Sequence, residues 1–278
     1  MNTGELETVK EKANDPNQMG FFEHIDELRG RLIWSFGLWF IVFAVCFYFV
    51  KDHIFPILAE PLIKMSKTEH VFAAIDIKEP FFANIKAAFW VSVILSSGIF
   101  FYHIWGFVAP GLTRKEKFFA IPFLVFMAAF FIAGCTFSFI YVFPYALNYL
   151  MSWNELGLNA YTRTSYLSIL FAFVLGMGVS FETPMVIFFL AKIGLVTPGF
   201  LLRKFKWAVI ISFIIAAIIT PTPDVIMQTA LAGPMIILYL LGIAAAYFVV
   251  KKKEDESTDE DEDEEGIAVE ENEENETD

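Results

Sequence analysis

FFAIPFLVFMAAFFIAGCTFSFIYVF, residues 118–143, carries no charged side chain. About 20 consecutive apolar residues suffice for a helix to cross the roughly 30 Å hydrocarbon layer of a bilayer, and this run is longer than that. Comparable runs lie before it at Ile33–Val50 and Ala87–Val108, and after it at Tyr166–Leu190, Trp207–Ile219 and Ile226–Val250. The chain of 278 residues is 56% hydrophobic and 17% aromatic, with 33 Phe, and its mean hydropathy is +0.56. No soluble domain of this size needs so much apolar material. The expected fold is therefore all-α, a polytopic integral membrane protein with six transmembrane helices. Trp207–Ile219 is short: at 1.5 Å per residue it reaches roughly 20 Å, which points to local thinning of the bilayer beside it.

The formal net charge of −12 misrepresents the body of the chain. The stretch Glu254 to Asp278 holds half of the 32 acidic residues and no basic one, so the remainder is net basic. Three regions follow: a polar extension over 1–20, the transmembrane domain over 21–250, and an acidic tail over 251–278 expected to be disordered, because like charges with few apolar residues cannot form a core. The tail reads as solubilising, and the sequon Asn275-Glu276-Thr277 within it as chance.

Lysine and arginine set the orientation. With the amino terminus in the cytoplasm, only Lys51, Lys64, Lys67, Lys78, Lys86 and Arg163 face outward, which satisfies the positive-inside rule. Both termini are then cytoplasmic, and the expected location is the cytoplasmic (inner) membrane. The outer loop from Lys51 to Lys86 contains Pro56, Pro61 and Pro80 and is expected to form a cap of short helices. A second outer loop runs from Pro144 to Ser165, and the third is the turn TPTPD, residues 220–224. No internal repeat is visible, so an inverted-repeat transporter gains no support.

Cys46 and Cys135 lie inside apolar runs and read as small hydrophobes. His24, His53, His70 and His103 have no metal-ligand spacing, and His24-x-x-Glu27 lacks the second histidine and the adjacent glutamate of a zinc HExxH helix. No metal or cofactor is expected. No nucleophile–base constellation appears, so an enzyme is not expected either.

Five carboxylates or amides are candidates for function. FEHIDELRGRLIW, Phe22–Trp34, places Glu23, Glu27 and Arg31 on one helical face and Phe21, Ile25, Leu28 and Leu32 on another. It reads as an amphipathic helix at the interface running into the first span. Glu27 is then either an i,i+4 partner of Arg31 or an acidic spot offered to a cationic ligand. Glu116 either closes a capping box with Thr113 or adds a second carboxylate to the same surface, where two could hold two guanidinium groups. Glu182, in GVSFETP, lies about eight residues inside its span, roughly 12 Å deep, a costly position for a carboxyl. It is either satisfied by a neighbouring helix of the chain or functional, and Pro184 should kink the helix beside it. Asp224 is placed to cap the sixth span, and Gln228, one turn on, can bond another helix.

His24-Ile-Asp-Glu27-Leu28-Arg29-Gly-Arg31 resembles the amino-terminal signature of the TatC family, the polytopic receptor subunit of the twin-arginine protein translocase. FVAPGLTRKEK (107–117), VFPYA (142–146), GVSFETP (178–184) and TPTPDVIMQ (220–228) resemble its other landmarks in order, as do EPLIK and EPFF in the first outer loop. The resemblance implies a receptor for folded cargo proteins that bear a twin-arginine signal peptide. It implies a signal-peptide site of Glu27 and Glu116 with His24, Arg29 and Arg31 around them. It also implies contact with single-span TatA/TatB-type subunits at Glu182, Gln228, Asp224 and either Thr220 or Thr222, and self-association in a larger complex within membrane lipid; no nucleic acid is expected. The rival reading is a proton-coupled small-solute transporter with Glu182 as its relay.

Overall fold

Backbone N–H and C=O groups find no water inside a bilayer, so segments that cross it as single strands of chain must pair those groups within a helix. The protein is described here from a computed structural model covering residues 21–66, 71–108, 120–152, 161–221 and 224–275; at 21–29, 31–32, 107–108, 120–121 and 251–275 the backbone alone is described. Over their described residues, all six apolar segments are helical.

Helix α1, Phe21–Phe49, runs unbroken from the charged FEHIDELRGRLIW stretch into the first apolar run. It continues through a π-helical turn, Val50–Ile54, into α2, Phe55–Met65. The chain after Lys51 was expected to leave the helix, yet the helical path persists to Met65. The reason is the place of Pro56: at the first turn of α2 its missing N–H is not needed, and the π turn before it takes up the change of register. The same device recurs further on. Helix α3 is Glu79–Leu95, α4 is Ser97–Val108 and α5 is Ala120–Phe137. A π turn, Ser138–Val142, then precedes Pro144 in α6, Phe143–Ser152. Part of the expected second outer loop is therefore helix.

Helices α3 and α4 meet at Ser96 with a bend of 51°. The sequence there is Ser96-Ser97-Gly98, and serine–glycine tracts are a recognised cause of kinks. The Ser92 hydroxyl also donates to Phe89 O at 2.7 Å, bonding back into the helix ahead of the bend. Helices α7, Arg163–Phe181, and α8, Thr183–Lys192, form the fourth apolar segment; α9 is Pro198–Arg203, α10 is Phe205–Ile219 and α11 is Val225–Asn275. Helix α11 runs on past the last apolar span as far as Asn275. Among the described residues, four helical paths are long and apolar enough to cross a membrane, and the bent α3–α4 pair, taken as one span, makes a fifth. Helix α10 has 15 residues, about 22 Å.

Apolar side chains cover the outside as well as the inside. Trp34 and Ile218 are 72% and 78% exposed, as suits a surface that meets lipid rather than water. The core is built from fully buried Phe143, Phe173, Leu167, Leu170 and Met177, where α7 packs against α5, α3 and the Ser138–Val142 turn.

Among the described residues, the cap on one face of the molecule contains the short helix α2 and a one-residue parallel bridge between Phe72 and Tyr161. Tyr161 N–H donates to Val71 O at 3.1 Å and Ala73 N–H to Tyr161 O at 3.0 Å. The buried Tyr166 hydroxyl donates to Leu58 O at 2.6 Å, and the Arg163 guanidinium lies 4.7 Å from the Phe55 ring centre. These ties join the cap to the start of α7.

Helix α5 approaches α7 closely because Gly134 has no side chain. A Cβ built there would lie 2.8 Å from Phe181 Cβ and 2.9 Å from Met177 O, a backbone atom that cannot step aside. Gly134→Ala is expected to lower stability by about 1–3 kcal/mol, read as a fall in the thermal unfolding midpoint of the detergent-purified protein.

Candidate functional site

Pro184 supplies no N–H, so the hydrogen-bond ladder between α7 and α8 must break just ahead of it. The break falls on Glu182, whose φ of −72° and ψ of −17° leave the chain helical in direction while ending α7. Its N–H bonds Val179 O at 3.1 Å, a tightened turn, and its own carbonyl accepts from Val186 N–H at 2.9 Å. The expected kink is therefore a local break in bonding, and Arg163–Lys192 still counts as one span.

Two close helix contacts enclose this point. On one side Gly178, one turn before Glu182, lies so near α5 that a Cβ would fall 2.6 Å from Cys135 Sγ, and the Phe181 and Phe137 rings are 5.6 Å apart. On the other side Gly242 in α11 meets Pro184 and Ile187, where a Cβ would lie 3.3 Å and 2.6 Å from their atoms. Glu182 is consequently 7% exposed, the one charged residue type among the buried described residues. Neither Oε1 nor Oε2 has a hydrogen-bond partner among the described residues. A neighbouring helix of the same chain was one expected partner, and among the described residues none supplies it. A buried polar group without a bond costs about 1–3 kcal/mol on mutational scales and more when ionised.

The second group lies where α10 ends and α11 begins. Thr220 follows the last residue of α10, 7% exposed, its hydroxyl also without a partner among the described residues. Asp224 Oδ1 accepts from Met227 N–H at 2.8 Å, so this carboxylate caps α11 as its position suggested. Gln228 is half-buried, and its N–H bonds Asp224 O at 3.1 Å. Its side-chain amide makes no hydrogen bond among the described residues. Beside this group an open groove of about 580 Å³ runs between Phe137, Tyr141 and Tyr145 and the first two turns of α11, at Val225, Ile226 and Thr229.

His24, Glu27, Arg29 and Arg31 are on the first turns of α1, where the backbone alone is described. Glu116 and Thr222 lie outside the described residues. Glu182 and the Thr220–Gln228 group sit on different helices, and no bond joins their side chains. Cys46 and Cys135 are free and buried in the apolar core. Lys86, read from the sequence only as an outward-facing lysine at the end of the first outer loop, stands in α3 and donates to Ser168 of α7.

Known proteins resemble this chain along most of its length. The model of the family described as Sec-independent protein translocase protein (TatC) matches residues 23–234. The Sec-independent protein translocase protein TatC of Koribacter versatilis is 34% identical, with 83% of this chain and 86% of that one aligned. Its counterpart from Escherichia coli K12 is 36% identical over 82% of this chain and 88% of that protein. A crystal structure described as the twin-arginine translocase receptor TatC superposes with a TM-score of 0.72 at 34% identity, covering 82% of this chain and all of that one.

Proposed function

The chain belongs to the TatC family of Sec-independent protein translocase proteins, and from that premise we propose that it is the membrane receptor of a twin-arginine translocase, binding the signal peptides of folded cargo proteins and recruiting single-span partner subunits. The reading is supported by likeness to a chain described as the twin-arginine translocase receptor, all of which this chain covers. Six spans with both termini in the cytoplasm of an inner membrane follow from the lysine and arginine distribution, with α10 as a short fifth span beside thinned lipid.

In this proposal the water-facing start of α1 and the chain around Glu116 form the signal-peptide site. A twin-arginine signal presents two planar guanidinium groups, and carboxylates are their best bidentate acceptors. Glu27 and Glu116 are the acceptors, and His24, Arg29 and Arg31 flank Glu27 in the same stretch. Glu182, Thr220 and Gln228 serve a different ligand, the polar position of a partner's single transmembrane helix. Asp224 acts through the local fold, since its carboxylate is engaged in capping α11. The observation that carries this second half is the pair of Glu182 oxygens, buried and without partners among the described residues. A polar side chain on an incoming helix would satisfy them, and lipid cannot. The groove lined by Tyr141, Tyr145 and Val225 adds an apolar recess for that helix's side chains. Self-association of receptor and partners in a larger complex completes the proposal.

A proton-coupled solute transporter would also use a buried carboxyl, but neither the family match nor the structural likeness supports it. Co-purification separates the two. The intact protein is expected to retain a twin-arginine signal peptide and to lose it when both signal arginines are replaced by lysine, because lysine cannot form the two-pronged bond. Equal retention of both peptides would overturn the receptor reading.

A further inference from the structure

Ile75 and Ile77 stand in the turn ahead of α3, 84% and 96% exposed. The backbone that displays them is fixed by its own bonds. Glu79 N–H donates to Asp76 O at 3.0 Å, Lys78 N–H to Asp76 Oδ1 at 3.1 Å and Ile75 N–H to Glu79 Oε2 at 3.1 Å. Glu79 Oε1 also accepts from Thr164 N–H at 3.4 Å, which ties the turn to the first turn of α7. The ordering entropy of this segment is therefore spent in the fold itself and is not charged again to a ligand. Scattered exposed apolar residues need no explanation, but Ile75 and Ile77 adjoin the exposed rings of Phe81 and Phe82 and form a patch with them. A patch of that kind marks a contact.

The pairing of α1 with α3 sets the height of that patch. Trp39 of α1 meets Phe89 of α3 with ring centres 5.4 Å apart, and Phe47 meets Phe81 at 6.5 Å. Eight residues forward along α1 thus match eight back along α3, an antiparallel pairing without slip. Two residues further, the start of α3 at Glu79 is level with Phe49, and the turn ahead of it comes beside Val50–Ile54, which α3 also contacts. There the first apolar run gives way to Lys51, Asp52 and His53. Tyr48, 79% exposed, stands at the same level, and tyrosine concentrates where hydrocarbon meets the headgroups. Lys86 lies deeper on α3, and its ammonium goes to Ser168 instead of this surface. The patch therefore continues the exposed apolar surface of Phe47 and Phe81 up to the edge of the hydrocarbon. Charge suits lipid as well. The carboxylates of Asp76 and Glu79 are engaged with backbone N–H groups, while Lys78 between them is exposed and carries the sign that lipid phosphate attracts.

We propose that the Ile75–Lys78 turn is an interfacial anchor: Ile75 and Ile77 enter the phospholipid leaflet on the cap side, and Lys78 meets the lipid phosphates. Burial of two isoleucine side chains that nothing in the described chain covers drives the insertion. The anchor holds the start of α3, and through Glu79 the start of α7, at one height in the membrane.

The test uses the full-length protein in vesicles of phosphatidylethanolamine and phosphatidylglycerol. A nitroxide is attached to the variant Ile75→Cys, to Ile77→Cys or, as the water-facing reference, to Lys64→Cys on α2, whose side chain is 71% exposed. Cys46 and Cys135 are buried, and the unaltered protein taken through the same labelling gives their background. Labels at Ile75→Cys and Ile77→Cys are expected to lose most of the collisions with a water-soluble nickel chelate that Lys64→Cys retains, and to gain collisions with oxygen, which concentrates in hydrocarbon. Because the nitroxide is itself apolar, the unlabelled protein supplies a second arm. A phospholipid with a diazirine at the head of one acyl chain should, on illumination, attach to the turn between Ala74 and Glu79. Nickel collisions as frequent as in Lys64→Cys would place the turn in water. Loss of collisions with both reagents would place it against protein, a second copy or a partner. Either result, or the absence of a lipid adduct on the turn, would overturn the proposal. Signal-peptide binding enters none of these readings, so the anchor and the receptor reading fail separately.

Discussion

Glu27→Ala combined with Glu116→Ala is expected to bind a twin-arginine signal peptide far more weakly than the unaltered protein, while still accumulating as a folded membrane protein. A hydrogen bond to a charged group contributes about 1.5–3 kcal/mol, so each lost carboxylate lowers affinity roughly 10- to 100-fold. Both residues lie outside the apolar runs, and an exposed helical ion pair contributes only about 0.3–0.5 kcal/mol. Removing them therefore affects the ligand much more than the fold. Reversal to lysine should be worse than alanine, because repulsion is added to lost attraction. Titration of a labelled signal peptide against each variant, with gel filtration to confirm a folded sample, makes the comparison. Affinity at the original level in the double alanine variant would mean that Glu27 and Glu116 serve only as an ion-pair member and a helix cap.

The second large effect concerns Glu182. Its carboxyl is buried with both oxygens unbonded among the described residues. Glutamine keeps hydrogen-bonding capacity at that place without charge, and alanine keeps neither. Glu182→Gln is expected to retain most crosslinking to a single-span partner, and Glu182→Ala to lose it about tenfold or more, the effect of one bond made away from water. Signal-peptide binding should survive both changes, since the site proposed for it, at Glu27 and Glu116, lies outside the apolar runs. A proton relay predicts otherwise: glutamine cannot titrate, so both variants would lose export completely while partner crosslinks persisted. Measuring crosslinks and export on the same membranes distinguishes the two patterns.

How far the sequence could be read differs from element to element. Over their described residues all six apolar segments are helical, and the break beside Pro184 and the Asp224 cap lie where their residue types demand. Helix ends were read less well. Pro56 and Pro144 look like breakers in a linear reading, yet each stands in the first turn of a continuing helix after a π turn. Proline is unfavourable only where an N–H is needed, and that depends on the turn before it. The 51° bend at Ser96 was missed because serine in a helix can also bond back without bending it.

The candidate site was legible in its membership more than in its state. The depth of Glu182 followed from counting residues into a span, because 1.5 Å of rise per residue is independent of neighbours. Whether its oxygens find a partner depends on which helices stand around it, and no count along the chain contains that. Asp224 could be read either way, as cap or contact, until the 2.8 Å bond from Met227 N–H assigned it to α11.

The sequence by itself determined the membrane class, the helical form of each apolar run and the family, for a physical reason: in lipid every helix must satisfy its own backbone, so length and hydropathy of a segment decide its form locally. Only the tertiary structure decided what lies across the chain. It brought Lys86 against Ser168, Phe72 beside Tyr161, and Gly134 and Gly178 close enough to seal the seam beside Glu182. Inside a membrane the hydrophobic effect does not choose which helix faces which, because lipid tails are as apolar as leucine; close packing at small residues and a few polar bonds make that choice. Those contacts join residues far apart in sequence, and they are what leave the Glu182 carboxyl buried without a partner among the described residues.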